Sequence, residues 1–153
     1  MKYDLTEELD DDEITTFFFI NIRHVVGFVI LLFDSLSANT LSKVCDVTIE
    51  DVCTTLNSLH SVLDISESRD CPIRLFHNYF REFLLDEERH KEVNLRIGKM
   101  QTHISLGDSC LRLMSELSRD ICSLSMPCTL VKEVDGSKIA TCFLSNVQYA
   151  CRH

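Results

Sequence analysis

The stretch Val62–Phe76, VLDISESRDCPIRLF, decides how the chain is read. Val62-Leu63-Asp64-Ile65 and Ile73-Arg74-Leu75-Phe76 are short alternating runs, and Ser66 to Pro72 between them is polar and turn-rich. In a strand, successive side chains point to opposite faces, so two such runs around a turn predict a β-hairpin. Arg74 alternates with apolar neighbours and is expected to face solvent.

Upstream, the apolar period lengthens to that of a helix. Ile49, Val52, Leu56 and Leu59 share one face, and Thr48-Ile49-Glu50-Asp51 reads as a weak capping box opening that helix. A shorter helix, Ala38 to Cys45, is expected before it, with Leu41 and Val44 as its apolar side and Ser37 as its cap. Ile14 to Phe33 reads as a helix buried on most sides, with Ile22, Val25, Val26, Val29 and Phe33 at helical spacing. Three helices with short turns make a helix-turn-helix core. A hairpin after such a core is a winged helix, so the expected fold is mainly α with a winged-helix core and a small β-hairpin.

Downstream, Phe80, Phe83 and Leu84 form an apolar stripe, and Asp86-Glu87-Glu88-Arg89 ends that helix. Phe80 and Phe83 are expected in the core, with Arg81 and Glu82 on a solvated face. Residues 90–101 are polar and weakly patterned and read as a linker or a marginal helix, with the linker bounded at 91–104. Ser105 to Leu117 predicts a helix with Leu106, Cys110, Leu113, Met114 and Leu117 on one side. Beyond it, turns at Met126-Pro127 and Asp135-Gly136 interrupt short apolar pieces, and Val147 to Cys151 starts another helix. The expected division is an acidic leader (1–13), a winged-helix domain (14–90), a linker (91–104) and an incomplete, truncated helical segment (105–153).

Totals narrow the function classes. The chain of 153 residues is 45% hydrophobic with only 4 Gly and 2 Pro, enough apolar material for a core and few helix breakers. Net charge is −9, which repels nucleic acid and anionic membrane surfaces. The apolar run Val25–Phe33 is too short to span a bilayer. No nucleic-acid or membrane partner is expected, and the location is read as cytoplasmic. The eight Cys are irregularly spaced with no C-x-x-C pair and no secretory leader before them, so reduced thiols and no metal site are expected.

No G-x-x-x-x-G-K-[ST] loop occurs, so the chain lacks the backbone cradle that holds nucleotide phosphates. No Cys or His is marked as a nucleophile or base, so no catalytic residue is assigned and no enzyme activity is expected. DNA binding would fall to Ile49–His60, IEDVCTTLNSLH, which has two acids and no Lys or Arg.

The stretch Leu56–Asp86, with LFHNYFREFLLD as its most specific part, resembles the segment after the ATPase module in fungal NACHT-type proteins. These are signal-transducing NTPases of the STAND class, among them vegetative-incompatibility proteins. VILLFDSLSANTL (29–41), DSCLRLMSELSRD (108–120) and VQYAC (147–151) are similar to flanking family segments. The family's nucleotide-binding module and repeat domain have no counterpart, and Lys91 to Thr102 replaces an aromatic-acidic stretch, so a fragment, a degenerate copy or a truncated gene model is expected. The resemblance implies a regulatory winged helix that packs on a NACHT ATPase module, in cis or in trans, and holds the ADP-bound inactive state in incompatibility or cell-death signalling. It places His77 on the ADP phosphate when that module is present. It implies no cofactor in this chain itself; ADP or ATP belongs to the full-length family. The alternatives are a stand-alone winged-helix DNA-binding protein and a nonfunctional truncated relic. Apolar surface left by the missing module predicts poor solubility alone.

Overall fold

The computed structural model describes residues 11–66, 68–86, 97–124 and 130–153. Most of the expected acidic leader, part of the expected linker and the Met126-Pro127 turn lie outside the described residues. The described chain is mainly helical, with seven α-helices and one two-stranded antiparallel hairpin.

The first helix, α1 (Asp11–Leu31), takes in Asp11 to Glu13 of the run read as an acidic leader. It is apolar on several sides because two clusters press on it. Val25 and Phe28 enter one cluster; Val26, Ile30 and Leu31 enter another. Phe28 is fully buried, which stabilises the fold by about 1.5–3 kcal/mol relative to an exposed ring. Phe33, expected on the buried stripe, lies past the helix end and is 68% exposed. Once the helix stops at Leu31, its spacing no longer sets which side Phe33 faces.

Two capped helices follow. In α2 (Ala38–Cys45) the Ser37 hydroxyl accepts from the Thr40 N–H at 3.2 Å, and Asp46 closes the far end in a left-handed conformation at φ 57°. In α3 (Ile49–Ser58) the Thr48 hydroxyl accepts from the Asp51 N–H at 3.2 Å and donates to the Asp51 carboxylate at 2.7 Å. Each cap satisfies one of the amides a helix start leaves open. His24 on α1 hydrogen-bonds the Cys45 carbonyl at 3.0 Å, doing the same for the far end of α2.

The hairpin pairs β1 (Leu63–Asp64) with β2 (Arg74–Leu75), Leu63 opposite Leu75 and Asp64 opposite Arg74. The Phe76 N–H donates to the Val62 carbonyl at 3.1 Å, extending the pairing by one bond. Leu63 is buried and Arg74 exposed, as alternation predicts. The second arm also touches the α1–α2 connection: Ser37 and Pro72 form an antiparallel bridge, and the Ile73 N–H donates to the Leu36 carbonyl at 2.9 Å. The hairpin is therefore seated on the first two helices.

The remaining helices are α4 (Asn78–Leu85), α5 (Lys99–Ser115), α6 (Gly136–Cys142) and α7 (Ser145–Arg152). α5 starts at Lys99, so the last part of the expected linker is helical. Its early start is explained by contact: a Cβ on Gly27 of α1 would stand 3.2 Å from Thr102 and 3.3 Å from Ile97. The Asp135-Gly136 pair, expected as a turn, starts α6, with the Asp135 carboxylate accepting from the Ser137 N–H at 3.0 Å. α5 packs on α1, α2 and α7. One cluster accordingly joins Val25, Leu41 and Val52 to Leu106, Leu113 and Tyr149. Arg112 of α5 adds a hydrogen bond to the Lys43 carbonyl at 2.8 Å.

Candidate functional site

The hairpin ends where α4 begins, and His77 stands at that junction. Its backbone is extended at φ −140° and ψ 131°, the usual geometry of a residue just ahead of a helix. Its carbonyl accepts the Phe80 N–H at 3.1 Å, which starts the helix. Its side chain makes no capping bond and is exposed. The imidazole therefore has no structural task at the cap and points into solvent.

α4 anchors this junction through one side. Leu84 is buried against Val26, Ile30, Leu31 and Ile97, with Phe80 and Leu85 packed beside it. Phe83, expected in the core, is 38% exposed. It precedes Leu84 by one residue, about 100° around a helix whose contact is centred on Leu84, and so sits at the edge of that contact. Tyr79 and Phe76 are more exposed still, at 62% and 53%. Two outward aromatic rings thus flank His77 in sequence, within two residues on either side. Arg81 and Glu82 are exposed, as expected.

Other residues of the resembling stretch have local roles. His60 hydrogen-bonds the Asn57 carbonyl at 2.9 Å across the end of α3. Asp64 lies opposite Arg74 in the hairpin, both exposed. Two adjoining hollows share Asp34, Ser35 and Leu36, and neither has His77 in its wall. The larger, about 420 Å³, runs between Pro72, Arg74 and the α7 residues Tyr149 and Arg152. Its wall is already partly neutralised, because Asp34 takes Arg152 at 3.3 Å and His153 at 2.9 Å.

The cysteines divide by burial. Cys45, Cys110 and Cys122 are buried, Cys53 and Cys142 half-buried, Cys71 and Cys151 exposed, all as free thiols. Burial pushes the Cys45 and Cys110 thiols up, which makes both poor nucleophiles. Among the described residues no group of three His, Cys, Asp or Glu side chains is placed to hold a metal ion. No described helix is long and apolar enough to cross a membrane.

No family model, curated protein or solved structure matches the chain.

Proposed function

We propose that the chain is a regulatory interaction module, a winged-helix unit of the kind that fungal NACHT proteins carry after their ATPase. In this reading it packs on a NACHT ATPase module, in cis or in trans, and helps hold that module's ADP in the inactive state. The observation that carries the reading is the outward imidazole of His77 at the hairpin–helix junction, free of any capping bond.

Two further observations support it. The order of helix, bridge, two helices and hairpin fits a winged-helix reading, with Ser37–Pro72 as the bridge. Phe76 and Tyr79, beside His77, offer aromatic surface for a protein neighbour rather than for water. An imidazole N–H donates well to a phosphate oxygen, and the phosphate charge favours the imidazolium. The exposed start of α3 carries Glu50 and Asp51, which gives no support to a DNA-binding alternative.

The test joins the chain to a fungal NACHT ATPase module and measures ADP dissociation. Loss of one charge-assisted hydrogen bond, about 1.5–3 kcal/mol, predicts that His77→Ala speeds ADP release by roughly ten- to a hundredfold. An unchanged release rate in a folded variant removes the role assigned to His77.

A further inference from the structure

Between α5 and α7 the described residues make an excursion with almost no core of their own. Among residues 116–124, 130 and 132–144, Cys122 is the one buried side chain, and α6 buries none. The turn around Cys122 is tight. Asp120 and Ser123 take left-handed conformations at φ 61° and 47°, and the Asp120 carbonyl and carboxylate accept the N–H groups of Ser123 and Leu124 at 2.8 and 2.7 Å. This turn is tied to α6, where Lys138 Nζ donates to the Ser123 carbonyl at 3.1 Å. Cys142 follows Lys138 by one helical turn and so shares its face. Cys122, next to Ser123, lies beside that face, within interacting range of Cys142. Both are reduced in this structure.

We infer that Cys122 and Cys142 form a site of reversible oxidation, at which a peroxide closes an intramolecular disulfide that staples the 120–124 turn to α6. The two sulfurs divide the work by exposure. Cys142 is half-buried and meets the oxidant first. Its thiolate attacks one peroxide oxygen, the O–O bond breaks, and the other oxygen leaves as water after taking a proton. Cys142 is then a sulfenic acid. The Cys122 sulfur attacks the Cys142 sulfur, the S–O bond breaks, and the departing hydroxide takes the Cys122 proton as a second water. Two thiols and one hydrogen peroxide give one disulfide and two waters, with two electrons passing from sulfur to peroxide. Burial and the neighbouring Cys142 push the Cys122 thiol up, so it attacks with its proton still to lose, and the Lys138 ammonium, held on this turn by the Ser123 carbonyl, opposes that rise. Among the described residues of this segment little is buried, so closure of the bond has a structural effect. Cys71 is exposed and Cys45 deeply buried, and Cys110 faces Cys151 across the α5–α7 contact.

The test uses the full chain with low-millimolar hydrogen peroxide, alkylation of remaining thiols, tryptic digestion and mass spectrometry without reduction. Fragmentation spectra are required, because Cys128 shares a tryptic peptide with Cys122 and Cys151 shares one with Cys142. The expected result is a Cys122–Cys142 linkage, two hydrogens lighter than the two reduced peptides and reversed by dithiothreitol. It persists in Cys128→Ser and Cys151→Ser and is lost in Cys142→Ser. The wild-type mapping stands even where a substitution at buried Cys122 disturbs folding. Full alkylation of Cys122 and Cys142 while Cys71 or Cys151 is oxidised overturns the inference, as does a Cys110–Cys151 linkage in its place.

Discussion

The Tyr149 hydroxyl accepts a hydrogen bond from the Phe33 backbone N–H at 3.4 Å, linking α7 to the end of α1 across 116 residues of sequence. The bond is long and therefore weak, whereas the ring is only 4% exposed and sits in the main cluster. Ring burial rather than the hydroxyl dominates the energy. Tyr149→Phe is expected to cost about 0.5–1 kcal/mol and Tyr149→Ala about 3–5 kcal/mol in urea unfolding. Equal losses from the two variants would show that α7 is not packed through its ring.

The same helix end carries a pH dependence. The His153 ring hydrogen-bonds the Asp34 carboxylate and, with Arg152, holds it below its ordinary value near 3.8. A depressed carboxylate stabilises the fold in its charged form, fully above the unfolded value and less as pH falls through the folded one. The stability gap between the wild type and Asp34→Asn is therefore expected to stay open from neutral pH down to about 4 and to close below it. Because Asp34 is exposed, the gap is small and shrinks with added salt. A gap that widens in acid would contradict this pairing.

Gly27 marks the closest approach of α1 to the start of α5. Gly27→Ala adds a methyl 3.2–3.3 Å from Thr102 and Ile97 but gains helix propensity of about 1 kcal/mol, so the two effects roughly offset. Gly27→Val brings a branched side chain into the same gap and is expected to cost about 1–3 kcal/mol. Thermal unfolding of both variants checks the contrast. A neutral valine would mean that α5 does not lie against α1 there.

Thr48 supplies the start of α3. Removing its hydroxyl leaves the Asp51 N–H without its acceptor, and Thr48→Ala is expected to lower stability by about 1 kcal/mol. Thr48→Asp keeps an acceptor at the same place and should recover most of that loss in the same unfolding assay. Equal losses from both substitutions would remove the cap as the cause.

What was legible in the sequence is what local chemistry decides. Ser37 and Thr48 cap their helices as read, because the acceptor and the amide it serves lie within three residues. The hairpin arms were visible in their alternation, and the Val147 helix in its spacing. What was not legible depends on distant contacts. Residues 99–101 look polar and weakly patterned, leaving linker or marginal helix open, and the helix is decided where Thr102 meets Gly27 of α1, far away in sequence. Phe83 reads as core by composition, but α4 turns Leu84 inward instead. His77 stood out only through a motif, and its exposure at the hairpin–helix junction came with the structure. Cys122 and Cys142 carry no short-range signal, since a turn and a helix bring them together.

The central claim concerns His77, and nitrogen-15 NMR of the labelled imidazoles tests it most directly. The full chain is titrated with an ADP-loaded NACHT nucleotide-binding module from a fungus. The ring nitrogens of His77 are expected to move on binding, while those of His60, engaged with the Asn57 carbonyl, stay in place. Binding that leaves the His77 resonances where they were, or a titration with no binding at all, would contradict it.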